Sequence, residues 1–214
     1  MPSLSETALA VLASADPAQK CRLTREAAAA WAADSLEAPG PAQAPPPRPA
    51  RPARPPLLPP KDMPKRAYKG ERGRVGLLHA LAHIELNAID LAWDILCRFP
   101  SEDMPKGFHD DWIQVAVDEA LHFEMLEKLL ASLGAAYGDL PAHDGLWQAA
   151  EKTADDLAAR LVVVPMTLEA RGLDTTPATM ERLARNGDTV TPPALEVIYK
   201  DEIAHVAAGV RWFK

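Results

Sequence analysis

DEALH at residues 118–122 and DEIAH at residues 201–205 decide the fold. Each is Asp-Glu-x-x-His, and each follows a lone Glu at nearly the same distance: Glu85 lies 34 residues before Glu119, and Glu169 lies 33 before Glu202. A helix turns about 100° per residue, so Glu and His three apart project from one face on adjacent turns and reach one buried point together. Two helical hairpins, each giving one Glu and one Glu-x-x-His, predict an all-α four-helix bundle with a paired metal site in its core.

Glu85, Glu119, His122, Glu169, Glu202 and His205 form a hard, mostly oxygen ligand set. Its four carboxylates balance two divalent cations and leave coordination positions open; iron fits best, with manganese or a mixed iron/manganese pair next. Zinc fits less well, because structural zinc closes tetrahedrally, often on thiolates, and Cys21 and Cys97 do not cluster with these histidines. With 14 Glu and 6 His in 214 residues, chance alone gives roughly 0.4 Glu-x-x-His matches, so one copy means little and two are more than expected.

The apolar pattern adds weight. Leu78, Leu81, Ala88, Ala92, Ile95 and Phe99 form a helical stripe with Glu85 in its middle. Trp112, Val115, Ala116, Phe123, Leu126, Leu130 and Leu133 form a second, interrupted by Glu119 and His122. Leu195, Ile198, Val206, Gly209, Trp212 and Phe213 form a further stripe, interrupted by Glu202 and His205. A carboxylate in such a core costs several kcal/mol unless it is paired or bound to a cation. The remaining stripe, Leu157, Leu161, Val164 and Leu168, runs beside Glu169 and contains Pro165, which predicts a kink, a bulge or a break one turn before that Glu.

Asp118 and Asp201 have a candidate role beside the metal. A metal-bound His donates its second ring N–H to a carboxylate or carbonyl, and pseudo-twofold halves would pair Asp118 with His205 and Asp201 with His122. Solvated positions on outer helix edges are the alternative. Tyr199, one turn before Glu202 on the core side, is a further candidate beside the site, against a plain core tyrosine. His79 and His83 share a face, but His83 is about 200° from Glu85 and groups with Asn87, Asp90 and Asp94 on a polar face, which predicts surface or interhelical hydrogen bonds.

The ligand order resembles that of the ferritin-like di-iron carboxylate superfamily. More narrowly, LLHALAHIELNAIDLAWD at 77–94, DEALHFEMLEKLL at 118–130, PMTLEARGLD at 165–174 and DEIAHVAAGVRWF at 201–213 resemble the bacterial ferritin-like family known as domain of unknown function 455. This resemblance implies a ferritin-like fold with no established substrate. The chain is more distantly similar to the tRNA-modifying di-iron monooxygenases, which implies dioxygen, an electron donor, and a small-molecule or modified-nucleoside substrate. Members of the narrower family are expected to continue past the last metal helix, whereas this sequence stops nine residues after His205.

Ahead of the bundle at 71–214 are an N-terminal helical extension at 1–37 and a proline-rich basic linker at 38–70. Helical patterns run over 6–13 and 17–34, the first opened by a Ser3-x-x-Glu6 capping box. Between Pro39 and Pro64 lie 12 of 21 prolines, with Arg48, Arg51 and Arg54 at the three-residue period of a polyproline helix. These arginines predict a basic strip for an anionic partner or for the acidic bundle itself; a plain spacer is the alternative. A loop is expected at 136–145, and a short helix at 176–187 before one starting at Thr191-Pro192.

The net charge of −7 argues against nucleic acid. No secretory signal or membrane span is expected, and two cysteines without a disulfide pattern point to the cytoplasm. Three functional classes remain: an oxygen-dependent oxidase or monooxygenase; a ferroxidase, iron-storage or peroxide-detoxifying protein; and a structural or interaction protein.

Overall fold

The computed structural model describes residues 1–40, 44–64, 70–100 and 102–214, and the described residues are all-α, without a strand. The linker expectation at 41–43 and 65–69 falls outside them. In chain order the helices are α1 Leu4–Leu12, α2 Pro17–Ala32, α3 Gly70–Arg98, α4 Lys106–Ser132, α5 Gly145–Glu151, α6 Leu157–Val163, α7 Ala170–Arg185 and α8 Thr191–Phe213. A π-helical turn, Val164–Glu169, joins α6 to α7.

Two long helices, α3 and α4, form the main packed pair, and α8 lies against α4, the π turn and α7. The apolar stripes face inward: Leu78, Ala92 and Ile95 of α3 meet Trp112, Ala116, Phe123, Leu126 and Leu130 of α4 in one buried cluster with Leu195 and Ile198 of α8. Each of the Leu, Ile and Phe side chains among them contributes about 1.5–3 kcal/mol by leaving water. Phe213, placed by its spacing on the α8 stripe, is 46% exposed at the helix end.

The N-terminal extension joins the same core. Ser3 caps α1 through its hydroxyl, which accepts from the Glu6 amide, while Glu6 accepts from the Ser3 amide. Leu4, Ala8, Val11 and Leu12 then bury against α3, and Cys21, Ala27 and Trp31 of α2 against α4. Proline supplies no backbone N–H, so a proline-rich strap is held by donors from elsewhere. Arg98 donates to the Pro46 carbonyl and the Trp147 indole to that of Pro47. The strap's basic side chains grip acids of the helices: Arg48 pairs with Asp144 and Glu151, and Arg51 with Asp90. Arg54 is exposed. Two of the three arginines thus dock on the helical part of the same chain.

This docking decides between the surface and interhelical readings of one polar face. His83, Asn87, Asp90 and Asp94 form a polar face of α3, yet all are buried. Lys20 of α2 and Arg51 of the strap cover Asp90, while Arg160 of α6 reaches Asp94 at 2.5 Å beside Arg98. His83 Nδ1 accepts the Tyr137 hydroxyl at 2.8 Å and its Nε2 donates to the His143 carbonyl at 3.2 Å. Similarly, α3 has the length and apolarity of a membrane span, but most of its apolar window is buried inside this fold. The 136–145 connection leads into α5, whose Trp147 and Ala150 pack on Leu91 of α3. The expected 176–187 helix starts earlier, at Ala170, and carries Pro177 in its interior.

His79 gives a test of this packing. It is buried, and its Nε2 accepts from the Gly138 amide at 2.9 Å, so it folds neutral; burial lowers its pKa from the ordinary 6.5. Its contribution is present above pH ~6.5 and is lost as pH falls, because the unfolded chain then takes up the proton first. Protection of the Gly138 amide from hydrogen exchange is expected to fall below pH ~6.5. His79→Leu should lower that protection by about 1–3 kcal/mol at every pH, through the unpaired amide. Unchanged protection in this variant would contradict the assignment.

Candidate metal centre

The centre is assembled by four helical segments. Glu85 comes from the middle of α3, Glu119 and His122 from α4, Glu169 from the end of the π turn, and Glu202 and His205 from α8. Glu85, Glu119, His122 and His205 are at most 2% exposed, and Glu169 and Glu202 are part-buried. Ligand atoms of Glu85, Glu119, His122 and Glu202 lie within 4.8 Å of one another, a group able to hold a metal ion.

Glu119 is the hub. Its Oε1 lies 3.1 Å from His205 Nδ1, and its Oε2 lies 3.5 Å from His122 Nδ1. His122 Nδ1 is also 3.7 Å from Glu85 Oε2, and His205 Nδ1 is 3.7 Å from Glu202 Oε2. One carboxylate therefore faces two imidazoles, each flanked by a further carboxylate. Glu169 sits beside Glu202 and Glu119, close enough for their charges to raise its pKa.

The outer ring nitrogens fix the tautomers. His122 Nε2 is 3.0 Å from Asp201 Oδ2, and His205 Nε2 is 3.3 Å from Asp118 Oδ2, so each Asp reaches across to the histidine of the other helix. A carboxylate only accepts, so both Nε2 atoms carry the proton and both Nδ1 atoms turn inward. Tyr199 is half-buried, and no described residue hydrogen-bonds its hydroxyl.

Inward, the polar atoms lack partners. Glu85 Oε2, both oxygens of Glu119, His122 Nδ1, Glu169 Oε2, Glu202 Oε2 and His205 Nδ1 are buried without a hydrogen bond. Buried polar atoms of native proteins are rarely left so, and a convergence of carboxylate oxygens and imidazole nitrogens such as this one could hold a metal ion. Carboxylate oxygens and the two imidazole Nδ1 atoms face one another there, an arrangement that favours positive charge.

The protonation energetics agree. Burial disfavours an imidazolium at His122, yet the Glu119 and Glu85 carboxylates outweigh it and lift the pKa to about 11. His205 is raised as well, against burial, by Asp118, Glu119 and Glu202. Burial and the Glu119 charge push Glu85 far up, whereas Glu119 is held low, despite burial, by the close approach of Glu85, His122 and His205. This pair shares one proton when no metal is present. Glu169 is pushed up to about 8, by burial first and then by Glu202 and Glu119, and Glu202 is raised too, chiefly by burial. Cations would replace these protons, and the donor set of carboxylate oxygens with two imidazoles fits iron or manganese.

The π turn explains how Glu169 arrives. The interior Pro165 has no N–H to return to the Leu161 carbonyl, and the chain neither breaks nor simply kinks there. It widens into one π turn, and α7 continues directly from it. Sequence reasoning offered the acidic bundle as a partner for the Arg51 strip but did not place Lys20 with it on Asp90; Asp90 and Asp94 on the polar face of α3 were the available signal.

A family model described as "Protein of unknown function (DUF455)" matches residues 13–214. An uncharacterized protein of Haemophilus influenzae is 44% identical over 162 residues, covering 73% of this chain and 56% of the relative, so the chain spans little more than half of that protein's length. No solved structure matches the chain. With the family model covering nearly the whole sequence, the chain belongs to the DUF455 family.

Proposed function

We infer that this is a ferritin-like dinuclear metal protein acting as an oxygen-dependent oxidase or monooxygenase. The observation that carries this is the set of seven unpartnered inward atoms on Glu85, Glu119, His122, Glu169, Glu202 and His205, backed by the crossed Asp118 and Asp201 contacts. Glu85 and His122 would hold one divalent ion, Glu169, Glu202 and His205 the other, and Glu119 would lie between them. Bound iron, alone or with manganese, would supply dioxygen activation and electrons for a two-electron oxidation. The chain's own part is to fix ligand geometry through Asp118 and Asp201, to keep the histidines in the binding tautomer, and to hold the carboxylates buried and converging.

The substrate is a small molecule or modified nucleoside, with an external electron donor, and two buried free thiols, Cys21 and Cys97, suit a reducing cytoplasm. Iron oxidation or storage is a second possibility, favoured by one observation. Asp118 and Asp201 are 22% and 35% exposed and stand directly outside the histidines, an acidic approach for metal ions. Anaerobic loading with ferrous iron followed by dioxygen tests both. Dioxygen uptake tied to oxidation of the bound iron supports the oxidase, continued oxidation far beyond two ions per chain supports storage, and no uptake contradicts both.

A further inference from the structure

Gly209 lies on α8 one turn after His205, buried and facing the π turn. A Cβ there would meet Pro165 Cβ and Cγ at 2.7 Å and Met166 Cγ at 3.3 Å. Its φ is not among the positive ones, so the backbone does not require glycine there; the close approach does. On the other side of the turn, the exposed Thr167 donates its hydroxyl to the Val162 carbonyl at 2.7 Å, five residues back, across the span a π turn opens. One extra residue in a turn rotates everything after it by about 100° about the helix axis. Glu169 is the last residue of that turn.

We propose that Gly209 and Thr167 are positioning residues for Glu169: Gly209 admits Pro165, Thr167 holds the widened turn, and together they set the azimuth at which Glu169 meets Glu202 and Glu119. This rests on the metal-centre reading above and goes beyond it, because it makes occupancy of one of the two metal positions depend on a contact between α8 and the π turn. Alanine is a better helix former than glycine, so local propensity at 209 predicts a more stable α8. A variant that keeps its helicity but loses one metal would therefore be reporting the Pro165 contact.

The test is anaerobic titration of the chelator-stripped full chain with Co(II), followed by calorimetry and visible absorption, with far-UV circular dichroism for folding. Wild type is expected to bind two ions. Gly209→Ala should keep one near wild-type affinity and bind the other about 10–100-fold more weakly, and Thr167→Val should weaken the same ion by about 10-fold. The double variant Gly209→Ala/Glu169→Gln should be no weaker than Glu169→Gln alone, since both changes act through one side chain. Wild-type binding by both single variants, or fully additive losses in the double variant, overturns the proposal. If Gly209→Ala does not fold, Thr167→Val decides by itself, and wild-type binding there overturns it. A wild type that binds no Co(II) overturns the metal centre as well, an outcome distinct from the others.

Discussion

Glu119→Ala is expected to empty the centre, lowering affinity for both ions by more than ~100-fold, while His83→Ala leaves metal content near that of wild type. Glu119 is the side chain facing both histidines, and neither of its oxygens has another partner. His205→Ala should weaken binding more than His83→Ala but less than Glu119→Ala, since it removes one nitrogen from one side. His83 is a different kind of residue, although it stands two positions from Glu85. Both of its ring nitrogens are engaged, with Tyr137 and His143, on the opposite face of α3. Elemental analysis of the three variants and wild type checks this, and equal losses in all three variants would sink the ligand assignment.

The second large effect is on stability. Asp90→Ala should destabilise the fold by about 3–5 kcal/mol, the cost of leaving buried cations without their counter-charge. Asp90 is fully buried, and Lys20 beside it is 1% exposed, so neither reaches water without displacing α2. Arg51, at 17% exposed, is the partner able to swing out, taking the strap with it. Lys20→Met combined with Asp90→Leu should recover much of the loss, because an apolar pair of similar volume carries no desolvation penalty. Denaturant unfolding gives these numbers, and increased proteolysis near Arg51 in Asp90→Ala would report the released strap. A loss under ~1 kcal/mol in Asp90→Ala would show that the triad contributes little.

Much of this was legible because the helical period is local. Glu85, Glu119, His122, Glu202 and His205 stood out as polar interruptions of apolar stripes, and the structure brings them together because residues three and four apart share a face. The cross-helix contacts of Asp118 and Asp201 were open to inference from the repeat itself, since two similar hairpins imply a pseudo-twofold relation. What escaped was set by long-range packing. The face holding Asp90 and Asp94 read as polar, with surface or interhelical hydrogen bonds both open, because periodicity cannot show that α2, the strap and Arg160 will cover it. Pro165 signalled a defect but not its outcome; the close approach of Gly209 to it exists only in the folded chain. The start of α7 was misplaced because Pro177 resembles a first-turn proline, whereas the π turn feeds a helix that already runs through it.

The most direct test of the dinuclear centre is metal content per chain, by elemental analysis of protein purified without chelator or affinity metal. Seven converging unpartnered atoms predict about two iron or manganese ions per chain, falling toward zero in Glu119→Ala. A wild-type chain that binds none, even after anaerobic loading with ferrous iron, would contradict the account.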